Sequence, residues 1–336
     1  MRKVRIDSVL RVKTRQSPKE GACPTVAGNG RGKLRGPPMP MSSSALYAIC
    51  ILIWGTTWFA ITVQIDVLAP AVGVGLRFGL AAVVLFAVCR ARRIRLDFPG
   101  RVHALILAQG LAGFYASYVC VYEAERFVAS GVVAVGYAAS PLTGLVLARV
   151  FLRTPMSARV ALGGLAGIAG VLLIFWHEFT RLAASDQTLR GIALTMVSVL
   201  LASLSTVAAA GYQRDGVKGW GPLAWAMAYG AGGALLHAAL TGAPWGWSWK
   251  PSFIGSLAYL ALFGSIFAFG AYYALVQRLG PAKAGYVGVL TPLVALVISG
   301  VLENFLWTGL TVAGIALAIL GNVIALWPAR PAQKLT

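Results

Sequence analysis

Charged residues are scarce in this sequence, and acidic ones are scarcer than basic ones. Only 12% of the 336 residues are charged, with 10 Asp and Glu against 29 Lys and Arg. A soluble domain carries about twice that charged fraction. Hydrophobic residues make up 58% of the chain and form blocks long enough to cross hydrocarbon as helices. The composition therefore predicts an all-α polytopic membrane protein, because open strands cannot satisfy their backbone in lipid.

Cysteine and histidine are also rare. The four cysteines show no paired spacing, and three of them lie inside apolar blocks, which argues against a disulfide or metal role. The three histidines are scattered near the ends of apolar blocks. A membrane-embedded enzyme would need acid–base or nucleophilic groups that face one cavity. We therefore predict no catalytic residue, no metal and no cofactor, and we do not expect an enzyme.

The acidic residues in the apolar region lie at the ends of its blocks. These residues are Asp66, Glu123, Glu125 and Glu303. Proton-coupled carriers usually keep a titratable group within the membrane. The sequence therefore does not support proton or sodium coupling.

The apolar blocks predict ten membrane spans with short connections, which leave no room for an inserted soluble domain. The predicted spans cover residues 45–64, 70–89, 103–122, 127–149, 159–177, 190–211, 221–241, 253–275, 283–302 and 306–327.

The basic residues predict how these spans are oriented. With the N-terminus inside, 24 of the 29 Lys and Arg fall in cytoplasmic segments, four fall outside, and Arg77 lies within a span. Cytoplasmic loops retain Lys and Arg, so we expect a cytoplasmic (inner) membrane protein with both termini cytoplasmic. The net charge of +19 is then a topology signal and does not indicate a nucleic-acid partner.

Two terminal segments lie outside the spans. Residues 1–44 are basic, contain Gly, Pro and Ser, and lack the apolar core of a signal peptide. They are either a disordered cytoplasmic tail near anionic headgroups or an extension upstream of a true start at Met39 or Met41. Residues 328–336 are predicted to form a cytoplasmic C-terminal tail.

The chain repeats itself at an offset of 151 positions. In that register Ser140-Pro141-Leu142 falls on Thr291-Pro292-Leu293, and the glycines at 163 and 170 fall on those at 314 and 321. Each copy holds an odd number of apolar helices, so the copies run in opposite directions through the membrane. We therefore predict two inverted five-helix repeats, residues 45–177 and 190–327, with a site between them as in secondary transporters.

At these positions, and at Trp54-Gly55-Thr56-Thr57 and Arg77-Phe78, the chain resembles the ten-helix, EamA-type branch of the drug/metabolite transporter superfamily. One difference is that family members commonly carry a Gly-Glu pair after the fourth and ninth helices. Here Glu303 follows Leu302, and the first copy reads Phe151-Leu152 with no acid. The matching elements are Trp54-Gly55-Thr56-Thr57, Arg77-Phe78, the two proline turns and the spaced glycines of both copies.

The resemblance implies a carrier that moves small metabolites by alternating access between the two halves, with export as the direction. Amino acids or related compounds are the substrate class to test first. A membrane-embedded enzyme and a non-transporting sensor or assembly protein are the alternatives. The expected partners are a small-molecule substrate and the lipid bilayer, and the sequence does not predict the oligomeric state.

Arg77 is the sharpest candidate for a substrate contact. It lies about 10 Å into the membrane at 1.5 Å per helical residue, and Ala228 occupies the equivalent position of the second copy. A guanidinium suits bidentate pairing with a carboxylate. The alternatives are that Arg77 snorkels outward or pairs with Asp66.

Proline, hydroxyl and aromatic side chains supply the other candidates. Pro141 and Pro292 are predicted to kink their spans at mid-depth, which exposes backbone carbonyls and nearby hydroxyls to a cavity. Aromatic faces can stack on planar or apolar substrates, although Tyr and Trp near span ends also serve as interfacial anchors. The predicted substrate-binding residues are Arg77, Trp54, Tyr118, Tyr122, Tyr137, Ser140, Tyr273, Tyr286 and Thr291, with Pro141 and Pro292 as helix-kink residues.

Overall fold

The computed structural model describes residues 41–128, 130–174, 176, 186–302 and 308–326. The predictions for residues 1–40, for Glu303 and for residues 328–336 lie outside these ranges. Within them every regular element is a helix, which confirms the predicted all-α class.

The helices follow one another with short connections. They are α1 (Ser43–Ile65), α2 (Pro70–Ala91), α3 (Gly100–Ala124), α4 (Ser130–Gly136, a 3₁₀ turn Tyr137–Ala139, then Ser140–Leu152), α5 (Ala158–Ile174), α6 (Asp186–Arg214), α7 (Trp220–Leu240), α8 (Pro251–Leu279), α9 (Pro281–Ala284, then Val287–Leu302) and α10 (Gly309–Leu326).

Seven of these helices are long and apolar enough to cross a membrane: α1, α2, α3, α6, α7, α8 and α10. Tyr137–Leu152 of α4 and the whole of α5 are shorter apolar helices. A chain with this many apolar helices needs lipid around it, because their outward faces carry exposed Leu, Val and Phe side chains. The count of ten spans stays a prediction.

Several helices begin at residues that suit a helix start. The Ser42 hydroxyl accepts a hydrogen bond from the Ala45 N–H at 3.1 Å and caps α1. Pro70, Pro251 and Pro281 each stand at the first position of a helix, where the missing N–H has no helical partner to lose.

Two π-helical turns interrupt long helices at corresponding places of the repeat. Gly110–Ser117 lies within α3 and Leu260–Phe267 lies within α8. Gly113 and Gly264, which stand 151 positions apart, lie one in each turn. A π-helical turn disturbs the regular hydrogen-bond ladder and is frequent at functional sites.

The proline helices differ in detail from the prediction of two mid-span kinks. Pro141 lies in the first turn of Ser140–Leu152, directly after the 3₁₀ turn, so it begins a helix and does not lie inside one. Pro292 does lie inside Val287–Leu302, and the helical break precedes it at Gly285 and Tyr286. In both spans the interruption lies on the N-terminal side of the proline, at Tyr137–Ala139 in α4 and at Gly285 and Tyr286 in α9, while Ser140 directly before Pro141 keeps helical backbone angles.

Helices α5 and α10 approach each other at backbone distance through glycines. A Cβ added at Gly163 would lie 2.5 Å from the Gly321 carbonyl oxygen, and one at Gly170 would lie 2.6 Å from that of Gly314. The earlier glycine of each helix contacts the later glycine of the other, so the two helices run antiparallel. Small residues permit such close helix contact in membranes.

Candidate functional site

A cavity with a volume of about 100 Å³ lies between α1, α3, α4, α6, α8 and α9. One water needs about 10–15 Å³ by that measure, so the cavity has room for several waters or for a small organic molecule in their place. None of the described residues that line it is charged. Its aromatic residues are Trp54, Trp58, Tyr118, Tyr137, Phe269, Tyr272 and Tyr273, and its hydroxyl residues include Thr57, Ser140, Ser203, Ser205, Thr206 and Thr291.

The interruptions of α4 and α9 meet at this cavity. A Cβ added at Gly288 would lie 2.4 Å from the Tyr137 carbonyl oxygen, and one at Gly285 would lie 3.0 Å from the carbonyl group of Ser140. Only glycine fits at such distances, because a side chain there would force the two helices apart. The broken backbone of both helices is therefore covered by protein, as membrane burial requires.

Helices α1 and α8 form an aromatic wall. The Trp54 ring centroid lies 4.8 Å from that of Phe269 and 5.2 Å from that of Tyr272. The Trp54 Nε1–H donates to the Gly264 carbonyl oxygen at 3.0 Å. This carbonyl belongs to the π-helical turn of α8, so the interruption of the helix holds the indole in place.

Helix α6 supplies a polar edge whose hydroxyls already have partners. The Tyr137 hydroxyl lies 2.7 Å from the Ser198 hydroxyl, and the Thr143 hydroxyl lies 2.6 Å from that of Ser203. The Ser205 hydroxyl donates to the Gln109 carbonyl oxygen at 3.0 Å. These bonds position the lining and leave few unused donors for a ligand.

Trp58 provides an unused donor. Its indole nitrogen is buried and has no hydrogen-bond partner, and the residue lines the cavity. Its ring meets that of Tyr137 edge to face, with the centroids 5.9 Å apart. A buried N–H without a partner costs free energy, so a ligand that accepts from Trp58 would recover that loss once the indole ring turned its shielded nitrogen toward the cavity.

Arg77 does not belong to the lining. Its side chain is 1% exposed, and its guanidinium donates to the Ser265 hydroxyl at 3.0 Å and to the Gly264 carbonyl at 3.3 Å. Its Cζ lies 4.7 Å from the ring centroid of Tyr118, which does line the cavity. Arg77 thus contacts the cavity wall and not the cavity, so the structure does not place it against a substrate bound there. Because it is buried, the Arg77 side chain does not snorkel outward. Asp66, the alternative partner of Arg77, is exposed.

Two predicted tyrosines also lie away from the cavity. Tyr286 is fully buried, and its hydroxyl donates to the Val160 carbonyl at 2.6 Å, which ties α9 to α5. Tyr122 is 1% exposed and packs close to Gly73, and its hydroxyl has no hydrogen-bond partner. The remaining predicted residues, Trp54, Tyr118, Tyr137, Ser140, Tyr273 and Thr291, do line the cavity.

Sequence reasoning did not select several lining residues. Trp58, Phe269 and Tyr272 stand beside predicted aromatics and were indistinguishable from anchors or core. Ser203, Ser205 and Thr206 had a usable signal, because three hydroxyls within four positions are unusual in an otherwise apolar span.

Comparisons with known proteins agree with this architecture. The sequence pattern of the EamA-like transporter family matches residues 42–176 and again residues 189–327. The chain is 30% identical over 299 residues to the uncharacterized inner membrane transporter YedA of Escherichia coli (strain K12), covering 85% of this chain and 92% of YedA. It is 26% identical over 287 residues to an uncharacterized transporter of Archaeoglobus fulgidus, covering 84% of this chain and 98% of the relative.

A solved crystal structure of a protein shares the fold, with a TM-score of 0.70 at 17% sequence identity. The superposition covers 84% of this chain and 96% of the other. At that identity the likeness concerns the fold alone.

Proposed function

The chain belongs to the EamA-like transporter family, and we propose that it carries small metabolites across the cytoplasmic membrane by alternating access. It is a multi-pass membrane protein whose relatives are named as transporters. The proposed unit consists of two inverted five-helix repeats, residues 45–177 and 190–327, that rock against each other around a shared site.

Antiparallel glycine contacts support the inverted arrangement. The glycines of α5 and α10 that contact each other stand at non-equivalent positions of the repeat, because Gly163 corresponds to Gly314 but touches Gly321. Gly170 correspondingly touches Gly314. This reciprocal pattern is what a two-fold relation between antiparallel helices produces.

The position of the cavity supports a site between the halves. Gly288 approaches the Tyr137 carbonyl, and these two residues are equivalent positions of the two copies. A position that contacts its own counterpart lies close to the axis that relates the copies. Both residues line the cavity, so a substrate there would touch both halves at once.

The observation that carries the proposal is a cavity at the crossing of the broken helices whose described lining is aromatic and uncharged and includes Trp58 with its unpartnered indole N–H. The Trp58 N–H suits a carboxylate or carbonyl oxygen, and the wall of Trp54, Phe269 and Tyr272 suits an apolar or aromatic side chain. Amino acids with such side chains, and related compounds, are therefore the proposed substrates. On the basis of the resemblance, we propose that the direction of transport is export. On the basis of the distribution of basic residues, we propose that both termini are cytoplasmic.

The experiment is efflux from liposomes that contain the purified full-length chain. Vesicles loaded with radiolabelled amino acids, beginning with L-phenylalanine, are compared with vesicles loaded with sugars and drugs. We expect efflux of at least one apolar amino acid above that of protein-free vesicles. Absence of flux for every compound would support the alternative of a sensor or assembly protein.

A pair of tryptophan variants links flux to the cavity. Trp58→Phe removes the unused donor and should raise the half-saturating concentration about 2- to 10-fold, the effect of one net hydrogen bond of about 0.5–1.5 kcal/mol. Trp249→Phe is the matched control, because Trp249 is 82% exposed and lies outside the lining. Equal effects of the two variants would contradict the assignment of this cavity.

A further inference from the structure

Glu125, which directly follows α3, has an unusual environment. Both of its carboxylate oxygens are buried and lack a hydrogen-bond partner. The neighbouring acid, Glu123, shows the ordinary arrangement, with its side chain partly exposed and paired with Arg126 at 3.1 Å. Two carboxyls only two residues apart therefore face different surroundings, and only that of Glu125 is withdrawn from water.

The face of α3 that carries Glu125 also carries the groups around Arg77. Tyr118, Tyr122 and Glu125 stand at i, i+4 and i+7, so they share one helix face. Arg77 lies over the Tyr118 ring, and one of its terminal nitrogens, Nη1, is buried without a partner. The Tyr122 hydroxyl is likewise unpartnered. A free acceptor, a free donor and a hydroxyl that can do both are thus buried along one strip.

Burial and charge act in opposite directions on the Glu125 carboxyl. Burial raises its pKa well above the usual range, and the positive charge of Arg77 opposes that rise. An ionised carboxylate with no hydrogen bond costs far more free energy in a buried place than a protonated carboxyl does. A metal cation would lack ligands there, because among the described residues no group of His, Cys, Asp and Glu side chains is arranged to hold one.

We propose that Glu125 is a proton-binding site of the carrier and that Arg77 sets its affinity for the proton. On binding, a proton from water forms an O–H bond to one carboxylate oxygen, and the site gains one positive charge. The reverse step returns the proton to water. The use of this proton as the coupling ion rests on the proposed function, whereas the existence of the site does not.

Arg77 supplies a physical connection from the proton to the cavity. With Glu125 protonated, the guanidinium is free to hold the Ser265 hydroxyl and the Gly264 carbonyl, as it does here. With Glu125 ionised, attraction draws the guanidinium toward the carboxylate. The Gly264 carbonyl also accepts from the Trp54 indole of the cavity wall, so a shift of Arg77 changes what holds that wall.

Within the described parts of the chain, other titratable and charged groups near this end of α3 have these surroundings. On the same segment, Glu123 is paired with Arg126. From α6, the Arg190 guanidinium lies over the Phe127 ring with its Cζ 4.8 Å from the centroid, and Asp186 is exposed. From α7, the His237 ring meets that of Tyr115 edge to face at 5.8 Å.

Infrared difference spectroscopy tests the site without any substrate. Spectra of the full-length protein in liposomes are recorded from acidic to alkaline buffer, and the carbonyl band of protonated carboxylic acids is followed. We expect a component that titrates above the ordinary Glu value of about 4.3. Glu125→Gln should abolish it and Glu123→Gln should not. Persistence of the component in Glu125→Gln, or its absence from the wild-type protein, would overturn the proposal.

The role of Arg77 is tested by the midpoint of the same titration. Arg77→Gln removes the opposing positive charge and should raise the midpoint by about 1–3 pH units, whereas Arg77→Lys keeps the charge and should shift it less. An unchanged midpoint in Arg77→Gln would refute the assigned role. If Glu125→Gln fails to accumulate, Glu125→Asp keeps a carboxyl, and its titrating band must still respond to Arg77→Gln.

Coupling is tested separately with L-phenylalanine. Acidification outside the vesicles should accelerate its efflux in the wild-type protein and in Glu123→Gln, but not in Glu125→Gln. If wild-type efflux occurs and ignores the pH gradient, then Glu125 binds a proton that does not drive transport. If no compound of the panel is transported, the proposed function fails while the infrared result still decides the proton site.

Discussion

Replacement of Gly170 by alanine tests the close packing of α5 against α10. A Cβ at this position would lie 2.6 Å from the Ala318 nitrogen and 2.6 Å from the Gly314 carbonyl oxygen. Ordinary contact begins at 3.4 Å, so the helices must separate by about 0.8 Å, and the opposing atoms are backbone atoms that cannot rotate away. Overpacking of this kind costs about 1–3 kcal/mol.

Alanine also favours a helix by about 1 kcal/mol over glycine, which would mask part of that cost. Gly232 in α7 is the matched control, because a Cβ added there meets nothing within 4 Å. Both variants gain the same helix propensity, so their difference isolates the steric term. We expect Gly170→Ala to have a free energy of unfolding about 1–3 kcal/mol below that of Gly232→Ala.

Equilibrium unfolding of the purified chain in mixed micelles of rising SDS content measures both free energies. The double variant Gly170→Ala/Gly314→Ala adds a second check. Its two changes act on one interface, so once the helices have separated the second Cβ should cost less than it does alone. Equal stability of Gly170→Ala and Gly232→Ala would refute the packing, and strict additivity in the double variant would refute the shared interface.

Three further outcomes are expected. Tyr286→Phe removes the hydrogen bond to the Val160 carbonyl, which keeps its partner within α5, so the free energy of unfolding should fall by about 0.5–1.5 kcal/mol in the same SDS titration. Gly288→Ala places a Cβ 2.4 Å from the Tyr137 carbonyl, so it should lower efflux in the liposome assay, whereas Gly232→Ala should not. Because burial raises the Glu125 pKa, the wild-type protein is stabilised by protonation at low pH and loses that contribution as pH rises through the raised pKa. Thermal unfolding should therefore show Glu125→Gln gaining stability over the wild-type protein at alkaline pH and not at acidic pH, and a constant difference would contradict this sign.

The helical class and the approximate helix positions could be predicted from the sequence, because the length and position of each apolar block are visible in the order of its residues. The prediction for Trp54 and Tyr137 rested on depth within a span, and both residues line the cavity. Their role in substrate binding stays a prediction. Depth does not specify the direction in which a side chain points, so the same reasoning could not distinguish Tyr122 and Tyr286 from lining residues.

The charged residues show the limit more clearly. The sequence shows Arg77 as a charge within an apolar block, but its partners in α8 lie 187 and 188 positions away and no sequence pattern links them. Glu125 lies at the end of a predicted span, where acids normally face water. Its burial depends on how α2 and α6 pack against the end of α3, which is a tertiary property.

The π-helical turn in α8 also fixes the direction of the aromatic wall. Each residue of an α-helix turns the chain by about 100°, so one residue more or fewer between Leu260 and Phe267 would rotate all that follows by that angle. Phe269, Tyr272 and Tyr273 follow the turn directly and line the cavity. A deletion of one residue there would keep every aromatic side chain in the sequence and still turn those rings away from the cavity. Relatives that differ in length in this short segment should therefore present different binding surfaces even where their aromatic residues are identical.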